Sequence, residues 1–163
     1  MKRNISIFLI LIICFSLFSC SKKEVYNDST PCSDLADKVK EQFSIDLGYE
    51  SYDADFIKYN FENASLCDDY GLRYSSRSSD IDEFGILHAS DEGSAQKLLS
   101  SAEKYLEELK KDKKAFIESY APKEASKLDN ARVKRFGNYV AYAILSDDDS
   151  EIFFDTVEKM LRK

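Results

Sequence analysis

The chain is predicted to fold as an α+β domain, an antiparallel sheet of three to four strands with a long helix and a C-terminal helix packed on it. Three observations carry this. Ala95, Leu98, Leu99, Ala102, Tyr105, Leu106, Leu109, Phe116, Ile117 and Tyr120 fall on one broad helical stripe, opposite a lysine-rich face. Arg132 to Phe136 and Tyr139 to Leu145 read as two strands around Gly137-Asn138, residues suited to a tight hairpin. Ile152, Phe153, Val157, Met160 and Leu161 recur at helical spacing behind Asp148 or Asp149, either of which is a suitable cap.

The elements follow in order. Residues 1–19 read as a lipoprotein signal peptide: Lys2 and Arg3 precede an apolar run from Ile5 to Phe18, broken only by Ser6 and Ser16. That run is shorter than the roughly 20 residues a spanning helix needs, which sets a permanent transmembrane segment below a cleaved signal. Leu17-Phe18-Ser19-Cys20 resembles a lipobox, with Phe18 larger than usual before the small residue. Cleavage before Cys20 would leave a lipidated cysteine as the first mature residue; a plain secreted protein cut nearby is the alternative. Residues 20–33 then form a flexible tether, and residues 34–163 a single domain.

Within that domain a helix is expected from Asp34, carrying Leu35, Val39 and Phe43, with Ser33 or Asp34 at its cap. Asp53 to Tyr59 suits a short helix, Gly71 to Ser76 a weak strand, and Ile81 to Ala89 a better one. Ser90 or Asp91 caps the long helix, which Pro122 ends; a short helix follows up to Asn130. Val140 to Leu145 is almost wholly apolar and therefore belongs inside the sheet.

Composition narrows the function classes. Loss of Lys2 and Arg3 with the signal would take the net charge from −7 to −9. Such an acidic domain is unsuited to nucleic acid or to a polybasic grip on anionic lipid. Its predicted partners are the membrane, through the anchor on Cys20, and an envelope protein or a small ligand. Trp is absent while Tyr and Phe are frequent, which supplies large apolar side chains for a core.

Tyr120-Ala121-Pro122-Lys123-Glu124, Lys127-Leu128-Asp129-Asn130-Ala131 and Gly137-Asn138-Tyr139-Val140 resemble the signature of domain of unknown function 4358. Glu83-Phe84-Gly85-Ile86 is similar to the strand that precedes that family's long helix. The resemblance covers roughly residues 34–163 and is firmest from Asp80 onward. It implies this order of elements and a small lipoprotein of Gram-positive bacteria, anchored on the outer face of the cell membrane. It implies no activity.

Candidate chemistry is sparse. His88 is the single histidine, expected in a strand; as a functional residue it would serve acid–base work in a small hydrolase, and otherwise it is an ordinary residue at the sheet margin. Cys32 and Cys67 allow a disulfide in an exported protein, or stand as two thiols. Asp80, Asp82, Gly85 and Asp91 fall in a calcium-loop register, but Phe84 occupies a ligand position and position 12 lacks Glu. Asp147, Asp148, Asp149 and Glu151 suit a helix N-terminus better than a cation site. No metal site, cofactor site or catalytic set is therefore assigned. Tyr49, Tyr52, Phe56, Tyr59, Phe61, Tyr70 and Tyr74 suit either a second core layer or a ligand groove. The expected function is a non-enzymatic interaction or ligand-binding domain at the cell envelope.

Overall fold

The computed structural model describes residues 24–45 and 47–163. The expected signal peptide, residues 1–19, and Cys20 lie outside them. Five strands form one antiparallel sheet: β1 (Tyr49–Ser51), β2 (Asp69–Ser75), β3 (Glu83–His88), β4 (Arg132–Phe136) and β5 (Tyr139–Ile144). Their spatial order is β1-β2-β3-β5-β4, and every pairing is antiparallel. The expected architecture holds with one more strand than three to four. The addition is β1, a three-residue edge strand too short to announce itself by alternation.

Helices cover both faces. Helix α1 (Cys32–Lys40) and the C-terminal α5 (Asp147–Leu161) lie on one face. The 29-residue α3 (Glu92–Tyr120) covers the other, flanked by the short α2 (Ala54–Asn60) and α4 (Ala125–Asp129). Strand parity sorts the side chains: Phe84, Ile86, Tyr139, Ala141 and Ala143 face α1 and α5, whereas Leu87, Val140, Tyr142 and Ile144 face α3. Double coverage explains why β5 reads as a continuous apolar run; all six of its residues are buried.

Local chemistry sets the boundaries. Asp91 caps α3 by accepting from the Ser94 amide, and Asp53 caps α2 by accepting from the Phe56 amide. Two expected caps move. Helix α1 begins at Cys32, so neither Ser33 nor Asp34 caps it; Asp69 on β2 instead accepts the Cys32 amide at 2.7 Å, a tertiary cap invisible to local pattern. At α5 the cap is Ser146 rather than Asp148 or Asp149, and Asp149 returns a carboxylate to the Ser146 hydroxyl at 2.8 Å. In the β4–β5 hairpin only Gly137 takes positive φ, at +61°, the pattern of a type II′ turn in which Asn138 stays on the ordinary side.

Residues 24–31, which the sequence assigns to the tether, run against the domain. Val25 and Asn27 exchange backbone hydrogen bonds with Lys163 and Leu161, and the Tyr26 ring meets Phe136 edge-on at 5.9 Å. Tyr139 donates to the Thr30 carbonyl and accepts from its amide. Among the described residues no helix is long and apolar enough to cross a membrane.

Candidate binding cleft at the start of the third strand

Helix α3 outruns the sheet. At 1.5 Å per residue its length is about 43 Å, against roughly 20 Å for the strands it covers. Its last turns therefore project past the edge of the core, leaving Phe116 60% and Tyr120 77% exposed with their rings stacked at 4.6 Å. Pro122 ends the helix and the chain folds back through α4. Lys127 there donates to Asp82 at 2.5 Å and Glu124 at 2.7 Å, while Glu124 accepts the Ile81 amide. Burial by itself would lower the pKa of Lys127, but the bonds to Asp82 and Glu124 outweigh it and hold the ammonium above its ordinary value. Part of the family-like motif is thus a half-buried latch between α4 and the start of β3.

Between this latch, the overhang and the end of β2 lies a cleft of about 270 Å³. Its walls are mainly Tyr52, Tyr74, Leu109, Phe116, Ile117 and Leu128. Asp80, Asp82, Glu83 and Lys113 also line it. Glu83 is the chemically unusual member. It opens β3 with the same parity as Gly85 and Leu87, so its carboxylate enters the α3 layer and is only 7% exposed. Oε1 accepts from the Tyr105 and Tyr142 hydroxyls, each at 2.8 Å, and Oε2 accepts from Tyr52 at 2.9 Å. No cation pairs with it among the described residues. Burial raises its pKa above the ordinary carboxylate value against the opposing pull of the three hydroxyls. The same burial, followed by the charge of Glu83, raises Tyr52, Tyr105 and Tyr142.

Gly85 makes this arrangement possible. A Cβ there would stand 2.2 Å from Leu72 Cδ2 and 2.3 Å from Tyr142 Cε1. The bare backbone lets the Tyr142 ring cross β3 and reach Glu83. Reading the aromatic segment as core or groove resolves residue by residue. Phe61 is buried, Tyr49 packs against the α1–α5 layer, Tyr52 and Tyr74 line the cleft, and Tyr59 is 76% exposed.

The other residues singled out by sequence lie elsewhere. His88 ends β3, at the opposite end from Glu83, with Nδ1 2.6 Å from Asp68 and Nε2 3.0 Å from Asp28. A neutral imidazole has one donor and one acceptor, so only the imidazolium satisfies both carboxylates. Burial would lower its pKa, but the bonds and charges of Asp28 and Asp68 outweigh it and raise the value. Asp28 also accepts from Asn138, so His88 clasps the N-terminal arm. Cys32 and Cys67 are free thiols, Cys32 in the α1–α5 layer and Cys67 against the opposite one. Burial pushes the Cys67 thiol up to about 12, unsuited to a nucleophile. Of the calcium register, residues 83–88 are paired strand, and Asp91 is a helix cap. Asp147 meets Asn130 and Arg132. Among the described residues no three His, Cys, Asp or Glu side chains group as metal ligands.

Residues 43–145, from just before β1 to just past β5, match a family described as domain of unknown function (DUF4358). The chain belongs to that family. The matched span contains Glu83, its three tyrosines and the Lys127 latch, so the cleft lies wholly within the DUF4358 region. No curated protein and no solved structure shows a significant match to this chain.

Sequence reasoning passed over Glu83 as a functional residue. Its partners lie 31, 22 and 59 positions away, and only the fold assembles them. One signal was available: an acidic residue inside an otherwise apolar strand, in step with Gly85 and Leu87, in a tyrosine-rich chain.

Proposed function

We propose that this protein is a lipid-anchored binding protein on the outer face of the cell membrane, held by Cys20. In this reading its cleft at the start of β3 receives a small ligand or a side chain of an envelope partner. The observation that carries the binding role is Glu83, a buried carboxylate without a counter-cation beside a concave, largely apolar surface. Buried groups with displaced pKa values beside a cleft are a common mark of binding and catalytic sites. The lipobox-like Leu17-Phe18-Ser19-Cys20 supports the address. A diacylglyceryl group would supply the two chains that stable anchoring requires.

The enzymatic alternative built on His88 has less support. Both of its nitrogens are engaged by carboxylates, and it sits at the far end of β3 from the cleft. Two measurements test the proposal. Membrane fractions should lose the protein on Cys20→Ser, and retention would refute the anchor. Fragment screening by amide chemical shifts should cluster responses at Tyr52, Tyr74, Leu109, Phe116 and Ile117. Responses confined to other surfaces would refute the cleft.

A further inference from the structure

The geometry points to a primary alkylammonium group as what the cleft takes, its nitrogen seated on Glu83 Oε2 and its carbon chain between the stacked Tyr52–Tyr74 pair and Phe116. This rests on the reading of the cleft as a ligand site and names the chemistry of its occupant.

The argument begins with the lone pairs of one carboxylate. A carboxylate offers about four acceptor positions, two on each oxygen. Oε1 is filled by Tyr105 and Tyr142, both from the core side, whereas Oε2 has Tyr52 alone. The open position is therefore on the oxygen shared with Tyr52, the one tyrosine of the three that lines the cleft. Each hydroxyl is a neutral donor, so the charge on Glu83 is solvated but not compensated. Its neighbour Asp82 shows the contrast: buried as well, it carries Lys127 at 2.5 Å. A compact cation with several N–H donors would fill the vacant acceptor position and neutralise the charge at once.

The walls suit the rest of such a ligand. Tyr52 is stacked between Phe56 at 3.6 Å and Tyr74 at 4.4 Å, so with both faces covered it meets the cleft by its ring edge and hydroxyl, an apolar wall with a polar tip. Leu109, Phe116 and Ile117 provide the apolar side that a methylene chain covers. Asp80 adds a second carboxylate, paired with Arg77 only at 3.8 Å. Lys113 opposes this preference from the exposed mouth and supplies a control whose sign runs the other way. A chain with net charge −7 attracts cations at long range.

The test is calorimetric titration of the full-length protein in detergent with 1,5-diaminopentane and, separately, with 1,5-pentanediol, which matches it in length but is neutral. The diamine should bind at least about ten-fold more tightly than the diol, in the millimolar range or better. Glu83→Gln should remove that preference, so that diamine and diol bind alike. Should Glu83→Gln fail to fold, Lys113→Ala serves instead: it lies on the surface and should tighten the diamine about two-fold relative to the diol. A blocked Ala-Lys-Ala peptide in a third titration separates a partner's lysine side chain from a free amine. Equal binding of diamine and diol would overturn the ammonium assignment and leave the cleft as a ligand site. No binding of any of the three would overturn both.

Discussion

Gly85→Ala tests the structural logic of the cleft most directly. In most strands an alanine in place of glycine is favourable by roughly 0.4–1 kcal/mol, because it reduces the freedom of the unfolded chain. Gly85 has no positive φ to forbid the change. The added Cβ, however, would stand 2.2 Å from Leu72 Cδ2 and 2.3 Å from Tyr142 Cε1. Carbon atoms in contact prefer about 3.5–4.0 Å, so both neighbours must move by more than an ångström. Leu72 and Tyr142 are both buried, on the two strands that flank Gly85, and relief within the layer is scarce. Overpacking of this kind costs about 1–3 kcal/mol. Displacing Tyr142 also draws its hydroxyl from Glu83 and leaves a buried carboxylate short of a donor, which costs about another 1–3 kcal/mol. Less the small unfolded-state gain, the net loss is about 1–5 kcal/mol, which should lower the melting temperature by at least about 4 °C in a domain of this size. Differential scanning calorimetry reads it. Tyr142→Phe should account for the hydrogen-bond share alone and lower the melting temperature less. An unchanged or raised melting temperature in Gly85→Ala would refute the close crossing of Tyr142 over β3.

Further outcomes follow from the buried charges. His88 has a folded pKa above its unfolded value of about 6.5, so its stabilisation is complete below that value and disappears as pH rises through the folded one. Asp28 and Asp68 meet its ring nitrogens, Tyr139 packs on the ring and Cys67 bonds its backbone. Protection of the Asn27 and Thr30 amides, measured as exchange relative to the intrinsic base-catalysed rate, should therefore fall as pH rises through that range, and His88→Gln should remove the fall; pH-independent protection in the native protein would count against the clasp. Glu83 is likewise raised, so stability should fall as pH climbs through its folded pKa, and denaturant titration of Glu83→Gln should show that decline abolished. Lys127→Ala strips the buried Asp82 of its cation and should cost about 3 kcal/mol in the same assay, with Asp82→Asn restoring part of it. A cost below about 0.5 kcal/mol would mark the latch as a solvent-screened surface pair.

Much of the fold was legible because its signals are local. The stripe from Ala95 to Tyr120 predicts α3 almost to the residue, and Gly137-Asn138 between apolar runs predicts the β4–β5 hairpin. What escaped is tertiary. Strand β1 exists because Tyr49, Glu50 and Ser51 find partners on β2, and nothing in those three residues alone requires it. The cap of α1 comes from Asp69, 37 positions on. The Glu83 cluster gathers side chains from the turn after β1, from α3 and from β5, and the cleft arises from a difference between two lengths, helix and strand. His88 drew attention as a lone histidine, yet its role follows from Asp28, in a stretch that reads as spacer.

The clasped arm also sets a direction. His88 and Glu83 are the two ends of one strand, five residue steps and thus about 17 Å apart. Glu24 lies beside Arg162, just past the end of α5, on the His88 side. With Cys20 lipidated as proposed, the four residue steps from Cys20 to Glu24 span at most about 14 Å. The anchor would then attach at one end of the strands rather than at their middle. With the anchor so placed, the His88 end of the strands would lie nearer the bilayer and the overhanging end of α3, with Phe116, Tyr120 and the cleft, would lie at the far end. Opening the clasp would lengthen the attachment by the whole of residues 24–31 and let the cleft swing down to the lipid surface.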